Sequence, residues 1–302
     1  MANKILITGA SGLVGSRLTE LLLKKGYEVN HLGRKKKSGN VPSFVWNIDT
    51  GEFDLAALDN VTAIVHLAGA GVADKRWTAE RKKEILESRI KSTALLFNTL
   101  KANSHGVKTL VSASAIGIYG FAMSEEVFTE QSSPGTDFLA HVTEQWEHEV
   151  DTIQSLAIRT VKLRIGIVLA RGGGALPQMA LPIKLGVGSP LGPGKQYLSW
   201  IHLDDLCGMF IKSIEDSGMV GAYNAVVGWH TNKELVAAIA HALKKPLWAP
   251  AVTGFVLKIV LGEMAAMVLN GSKVSSQKIN ATGFKPMFAT IESALENLFA
   301  KG

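Results

Sequence analysis

The chain is expected to fold as an α/β protein, a doubly wound parallel sheet with a smaller mixed lobe built from its C-terminal half. Three observations lead there. Short aliphatic and β-branched runs alternate with amphipathic helical stretches from the N-terminus onward, the pattern of successive βαβ units. The first run is followed at once by glycines spaced Gly9-x-x-Gly12-x-x-Gly15. A length of 302 residues at 47% hydrophobic content can fill one large core, or one and a half.

Lys4 to Thr8 reads as a buried strand, and Ser16 to Lys25 as a helix with Leu18, Leu21 and Leu22 on one face. The glycine turn between them opens a dinucleotide-binding unit of the Rossmann type. Gly9 permits the tight turn, Gly12 removes a Cβ where a pyrophosphate approaches, and Gly15 lets helix and strand pack closely. Ser11, Leu13 and Val14 complete the loop, whose backbone N–H groups and helix dipole favour an anion.

Composition narrows the classes. A single cysteine, Cys207, excludes a disulfide framework within the chain and fits a reducing, cytoplasmic setting. No apolar run reaches membrane-spanning length, and with Met1 to Lys4 leading straight into a strand no signal peptide is expected. A net charge of +6 and a pI near 9.3 suit an anionic ligand. The basic residues are scattered rather than striped with aromatics, so neither nucleic acid nor membrane is expected as a partner. Whether the protein is a monomer or a homodimer stays open.

Tyr27 to Leu32 is the second strand, ending in Gly33-Arg34-Lys35-Lys36-Lys37. An acid at this point would bind a ribose 2′-hydroxyl, whereas a cation accepts a 2′-phosphate. With no acid and four cations, NADP is expected over NAD, held by Arg34 with Lys35 beside it. Phe44 to Asp49 is the third strand. Asp49 can meet the adenine amino group or stand alone on the surface. The fourth strand, Ala63 to His66, runs into Leu67-Ala68-Gly69, small residues against which a flat ligand can lie. His66 inside this apolar run reads as a core histidine. A helix to about Lys101 follows, with Ile85, Leu86, Ile90, Ala94 and Phe97 as its apolar stripe. The fifth strand, Thr109 to Ala115, ends in hydroxyls. Ser114 and, one turn later, Tyr119 are the candidate catalytic groups, able to polarise or protonate a substrate oxygen.

With the TGxxGxxG turn, the Leu-Ala-Gly turn and the Ser-x-Ser…Tyr-Gly stretch in order, the chain resembles the extended short-chain dehydrogenase/reductases of the NAD-dependent epimerase/dehydratase type. Arg76-Trp77-Thr78, Ser112-Ala113-Ser114-Ala115, Trp146-Glu147, Ser199 to His202 and Gly262-Glu263 are similar to an atypical subgroup labelled as nucleotide-sugar epimerases or cell-division-inhibitor-like proteins. That subgroup carries its own C-terminal segment. The resemblance implies chemistry resting on a Tyr-x-x-x-Lys pair on the helix after the fifth strand. Here Leu139 and Thr143 occupy those positions, and neither can do the work. It also implies that the sixth strand, Thr160 to Leu169, ends near the nicotinamide, with Arg164 as a cofactor residue.

Gly172-Gly173-Gly174 reads as a joint into the substrate lobe. Tyr197 to His202 is a strand and Leu203 starts a helix with Asp204 as its cap. Arg76, Trp77, Lys195, Gln196 and Trp200 are candidate substrate contacts, an aromatic and polar set able to hold a sugar or base. Ala222 to Val226 is a further strand. Thr231 to Leu243 is a helix opened by a Thr231–Glu234 capping box. Pro246 and Pro250 divide the chain into 1–245, the cofactor-binding domain, and 246–302, the family-specific segment.

The function expected is an NADP-dependent, epimerase/dehydratase-like oxidoreductase acting on a small polar molecule, such as a nucleotide sugar. The alternative is a non-catalytic NADP-binding sensor or partner-binding protein, which the missing tyrosine–lysine pair keeps open.

Overall fold

The computed structural model describes residues 4–121 and 123–300. The N-terminal half runs β1 (Lys4–Thr8), α1 (Leu13–Lys24), β2 (Glu28–Gly33), β3 (Ser43–Asn47), β4 (Glu52–Phe53), β5 (Val61–His66), α2 (Ala79–Ala102), β6 (Thr109–Ala115), β7 (Met123–Phe128) and α3 (Phe138–Thr152). The remainder runs β8 (Arg159–Ile165), β9 (Ile167–Leu169), α4 (Ala175–Lys184), β10 (Tyr197–His202), α5 (Leu203–Glu215), β11 (Gly221–Ala225), β12 (Gly228–Thr231), α6 (Asn232–Ala242), α7 (Gly254–Leu261), α8 (Ala265–Leu269), β13 (Gly271–Val274), α9 (Gln277–Ala281) and α10 (Ile291–Phe299).

Eight strands form the main sheet in the order β11-β8-β6-β5-β1-β2-β3-β4, parallel throughout except for the β3–β4 edge. From β1 the chain builds outward to β2 and β3, then returns across β1 to lay down β5, β6 and β8. The reversal opens a crevice at the carboxyl ends of β1 and β5, where this class of sheet binds its ligands. Ile5, Leu6 and Ile7 have no exposed surface, because helices cover the sheet and its central strands. Helix α1 packs with α5, and α2 with α3.

Four local outcomes differ from the sequence expectations. Helix α1 begins at Leu13, so the glycine turn passes directly into it. The expected strand over 160–169 is broken at Gly166: β8 belongs to the main sheet and β9 pairs with β10 in a three-stranded sheet with β12. A Cβ on Gly166 would sit 2.6 Å from the Ser199 carbonyl oxygen, so only glycine lets β10 approach there. On α2 the buried residues are Arg81, Ile85, Ser92, Thr93, Leu96, Thr99 and Leu100, a stripe turned toward hydroxyls rather than toward Ile90 and Ala94. Helix α5 is capped by the His202 ring, which accepts from the Asp204 N–H at 3.0 Å, because the Asp204 carboxylate is bound to Arg17.

A second core joins Leu169, Ile183, Trp200, Leu235 and Ile239 to Ile291, Leu295 and Leu298. Residues beyond 246 therefore complete this lobe rather than stand apart from it. Strand β13 pairs with β7. The Ser199 hydroxyl donates to the Ser272 carbonyl at 2.8 Å and accepts from the Val274 N–H. The expected Thr231–Glu234 capping box on α6 is present.

Candidate functional site

Each glycine of the β1–α1 turn has a separate cause. Gly9 has φ of +67°, and a Cβ on it would lie 2.8 Å from the Leu67 carbonyl, so it also lets β1 and the β5 turn touch. A Cβ on Gly15 would strike the Ala10 Cα at 2.6 Å. Gly12 is different. It caps α1 with ordinary extended backbone, and a Cβ would meet only the Gly9 oxygen, at 3.4 Å. Space lies beyond it, and no side chain caps the helix. The first N–H groups of α1, from Leu13 and Val14, are left for solvent or an anion. Ser11 is exposed, and Leu13 packs against Gly173.

The β5 turn is tied to β1 by Thr8, whose Oγ1 accepts from the N–H groups of Leu67 and Ala68 at 3.1 and 3.2 Å. The same hydroxyl lies 2.8 Å from His66 Nδ1 and donates its proton there. Thr93 and Ser92 spend their protons on the Arg89 carbonyl, so the other ring nitrogen, Nε2, is the donor to them. His66 is thus a sealed neutral imidazole, and burial, helped by the nearby Arg89 charge, pushes its pKa down to about 3. Ser88 holds the same turn from the other side, accepting from the Ala70 N–H.

At the end of β2, Arg34, Lys35, Lys36 and Lys37 are all exposed, with no acid among them. Asp49 is an exposed turn residue past β3, 3.9 Å from Lys91.

The ends of β6 and β8 contrast with this open cradle. Ser114 is buried and donates to Glu147 Oε1 at 2.6 Å. Arg164 forks onto both Glu147 oxygens at 2.8 and 2.9 Å. It also donates to the Tyr119 hydroxyl at 3.0 Å, and Tyr119 donates to Asn224 Oδ1 at 2.6 Å. Lys162 stands 3.5 Å from Glu147 and bonds Asp151. Burial alone would raise the Glu147 carboxyl, but the Arg164 bonds outweigh it and hold the group below the usual carboxylate range. Burial pushes Tyr119 up, away from neutral-pH proton transfer. Arg164 is committed to this network. Leu139 and Thr143 face Gly117 just past the end of β6, and the Thr143 hydroxyl is spent on the Leu139 carbonyl.

The candidate substrate contacts disperse. Arg76 is exposed and reaches the Ile259 carbonyl at 3.3 Å, beside Gly262. Trp77 is buried edge-on against Phe138 and donates to the Val72 carbonyl. Lys82 pairs with Glu263. The loop after β5 is therefore fastened to the C-terminal segment, and this joins two of the quoted motifs in space. Lys195 is exposed. Gln196 is buried and donates to the carbonyls of Leu191 and Val268, while Trp200 lies in the second core with its indole N–H on His230. These two side chains brace the lobe instead of lining an open pocket, because buried N–H groups are met by fixed protein acceptors.

Sequence reasoning missed the structural roles of Thr8, Glu147 and Arg89. Arg89 stands four residues after Ile85 and four before Thr93, on the inward face of α2, and that spacing was the available signal.

Relatives agree with this geometry. The epimerase family protein YfhF of Bacillus subtilis is 35% identical over 98% of both chains. The crystal structure of the human epimerase family protein SDR39U1 with NADPH superposes with a TM-score of 0.87, at 31% identity over 98% of both chains. A UDP-glucose 4-epimerase from Thermus thermophilus in complex with NAD shares the fold at a TM-score of 0.77 and 22% identity, covering 98% of this chain and 97% of that one. Residues 252–298 match a domain of unknown function, DUF1731. Residues 5–226 match the NAD dependent epimerase/dehydratase family, and the chain belongs to that family.

Proposed function

We propose that the protein binds NADP(H) and uses it in the oxidation or reduction of a small polar substrate, with sugar nucleotides the first class to screen. The observation that carries the reading is the pairing of an uncapped α1 N-terminus, open beyond Gly12, with the acid-free basic end of β2. The N–H groups of Leu13 and Val14 hold the pyrophosphate. Arg34 and Lys35 hold the 2′-phosphate, and Asp49 stands at the adenine end. The turn from Leu67 to Gly69 supports the flat half of the cofactor. When bound, the cofactor supplies or accepts a hydride at its nicotinamide ring. NADPH in the relative SDR39U1 supports the phosphate-bearing form.

Titration with NADPH and NADH at fixed salt tests this. Arg34→Ala should weaken NADPH by about 1–3 kcal/mol, the range for charge-assisted bonds, and leave NADH nearly unchanged. Gly12→Val should remove binding of both with the circular dichroism spectrum kept, since its side chain enters the phosphate space without striking the fold. Equal parental affinities for the two cofactors would overturn the NADP reading.

A second reading has its own support. Leu139 and Thr143 replace the acid–base pair, and Ser114 and Tyr119 are turned into a satisfied buried network. A non-catalytic NADP(H) binder fits these facts. A screen for hydride exchange between NADPH and alcohols or ketones separates the two, because a binder gives affinity without turnover.

A further inference from the structure

The chain has 26 acidic residues, yet none lies between Asp151 and Asp204 or between Glu234 and Glu263. The fold brings parts of these two acid-free stretches together. The loop after α4 is bridged to the start of the C-terminal segment at Leu191 and Val252. There the Gly192 N–H donates to the Val252 carbonyl at 2.8 Å, and the Val252 N–H donates to that of Pro190 at 3.0 Å. Leu269 of α8 lies against both pieces, since a Cβ on Gly192 or on Gly254 would meet its side chain. Lys195 on the loop, Lys244 and Lys245 after α6, and Lys258 on α7 are all exposed. Glu263, which ends the second stretch, is taken up by Lys82. The surface is therefore basic, with no carboxylate of its own.

It is also apolar. Of the α7 side chains only Leu257 is buried. Phe255 is 73% exposed, Ile259 60% and Val260 63%, and Val256 is exposed beside them. Positions i, i+1, i+4 and i+5 share one side of a helix, and Lys258 falls at its margin. Trp248, on the segment leading into α7, is 70% exposed, and Val187 on the bridged loop is exposed as well. A surface helix normally turns polar groups outward, and a contiguous apolar patch marks a contact site. Aromatic and aliphatic side chains bordered by lysines suit a protein that lies on an anionic bilayer. Lysine stems can rest along the apolar face while their ammonium groups reach lipid phosphates. Helix α7 has eight residues, and no helix among the described residues is long and apolar enough to cross a membrane. The contact is one of lying on the surface.

A second copy of the chain is the competing occupant. A two-fold axis would press the patch against itself and bring Lys244, Lys245 and Lys258 of both copies together with no acid between them. Lipid phosphates supply the missing charge. We propose that the face formed by α7 and Trp248 docks the protein on an anionic lipid bilayer. Phe255, Ile259 and Val260 enter the headgroup region, and Lys244, Lys245 and Lys258 meet the phosphates. The sequence alone points away from a membrane because its basic residues are scattered; the fold sets these three beside one apolar face.

Sedimentation of the full chain with vesicles tests this. At low salt it should bind vesicles of equimolar phosphatidylglycerol and phosphatidylcholine about tenfold or more tighter than phosphatidylcholine alone, since each lysine near the surface contributes about fivefold. The preference should fade as salt rises. Phe255→Ser with Ile259→Ser should weaken binding by about tenfold or more and leave NADPH affinity and the urea midpoint parental, because both side chains are exposed. Lys244→Gln with Lys245→Gln should cost about tenfold on the mixed vesicles and nothing on phosphatidylcholine. In the parent, brominated lipid in the mixed vesicles should quench part of the tryptophan emission, and Trp248→Phe should abolish that quenching. Absence of binding to the mixed vesicles at low salt, or equal affinity for both vesicle types, overturns the proposal. So does affinity of the Phe255→Ser, Ile259→Ser protein within about threefold of the parent. A dimer in light scattering that this double substitution dissolves, with no vesicle binding, gives the face to a second copy and overturns it as well.

Discussion

The β1–α1 turn and the β6–β8 strand ends border the same crevice and are built on opposite terms. Around Gly12 the polar groups are backbone N–H donors of an uncapped helix, with exposed cations at the end of β2. Around Ser114 every named group is matched: Ser114, Glu147, Arg164, Tyr119 and Asn224 form one closed chain of bonds. A site awaiting a ligand leaves valences open, and a structural network fills them. By that measure the first region suits the proposed cofactor surface, and the second underpins it. The residue types alone would have suggested the reverse.

The contrast breaks most visibly at Glu147. Glu147→Ala strands Arg164 inside the fold, while Lys162 keeps Asp151, and should cost about 3–5 kcal/mol in urea unfolding, with NADPH affinity of the folded fraction nearly unchanged. A large loss of NADPH affinity at full stability would move Glu147 into the binding surface. The next effect is smaller and depends on pH. His66 titrates near 6.5 unfolded and near 3 folded, so between those values the unfolded chain binds a proton that the native protein refuses. Stability is therefore fully present above about pH 6.5 and falls on acidification toward pH 3, by about 2 kcal/mol between pH 6.5 and 5 from this residue. Urea melts at the two pH values should show this difference in the parent and its reduction in His66→Asn. Smallest are the hydroxyls. Ser114→Ala and Tyr119→Phe should each lower stability by about 1–2 kcal/mol while NADPH binding stays parental. If a turnover assay is found, a fall of a hundredfold or more in kcat for either variant, at parental stability, would make that residue part of the reaction.

Much of the fold was legible because its signals are local. The Lys4–Thr8 strand and the Thr231–Glu234 box are each determined within a few residues, and they stand as expected. What was not legible depends on contacts far along the chain. The break at Gly166 exists because Ser199 approaches it, 33 positions later. His202 caps α5 because Arg17, on the first helix, takes Asp204. Trp200 and Gln196 have pocket chemistry by type, yet their donors are met by His230 and by two carbonyls that no spacing rule connects to them.

The last helix has a consequence for how the chain is made. Strands β1 to β8 can assemble once residue 165 is available, but Leu235 and Ile239 stay uncovered until Ile291, Leu295 and Leu298 arrive. Each of those three side chains is worth about 1.5–3 kcal/mol when buried. During synthesis the N-terminal sheet therefore precedes the lobe, and a nascent chain halted before α10 presents an apolar face to chaperones and proteases. The C-terminal segment acts as a completion mark: resistance to digestion throughout is expected only after the nine-residue α10 has docked.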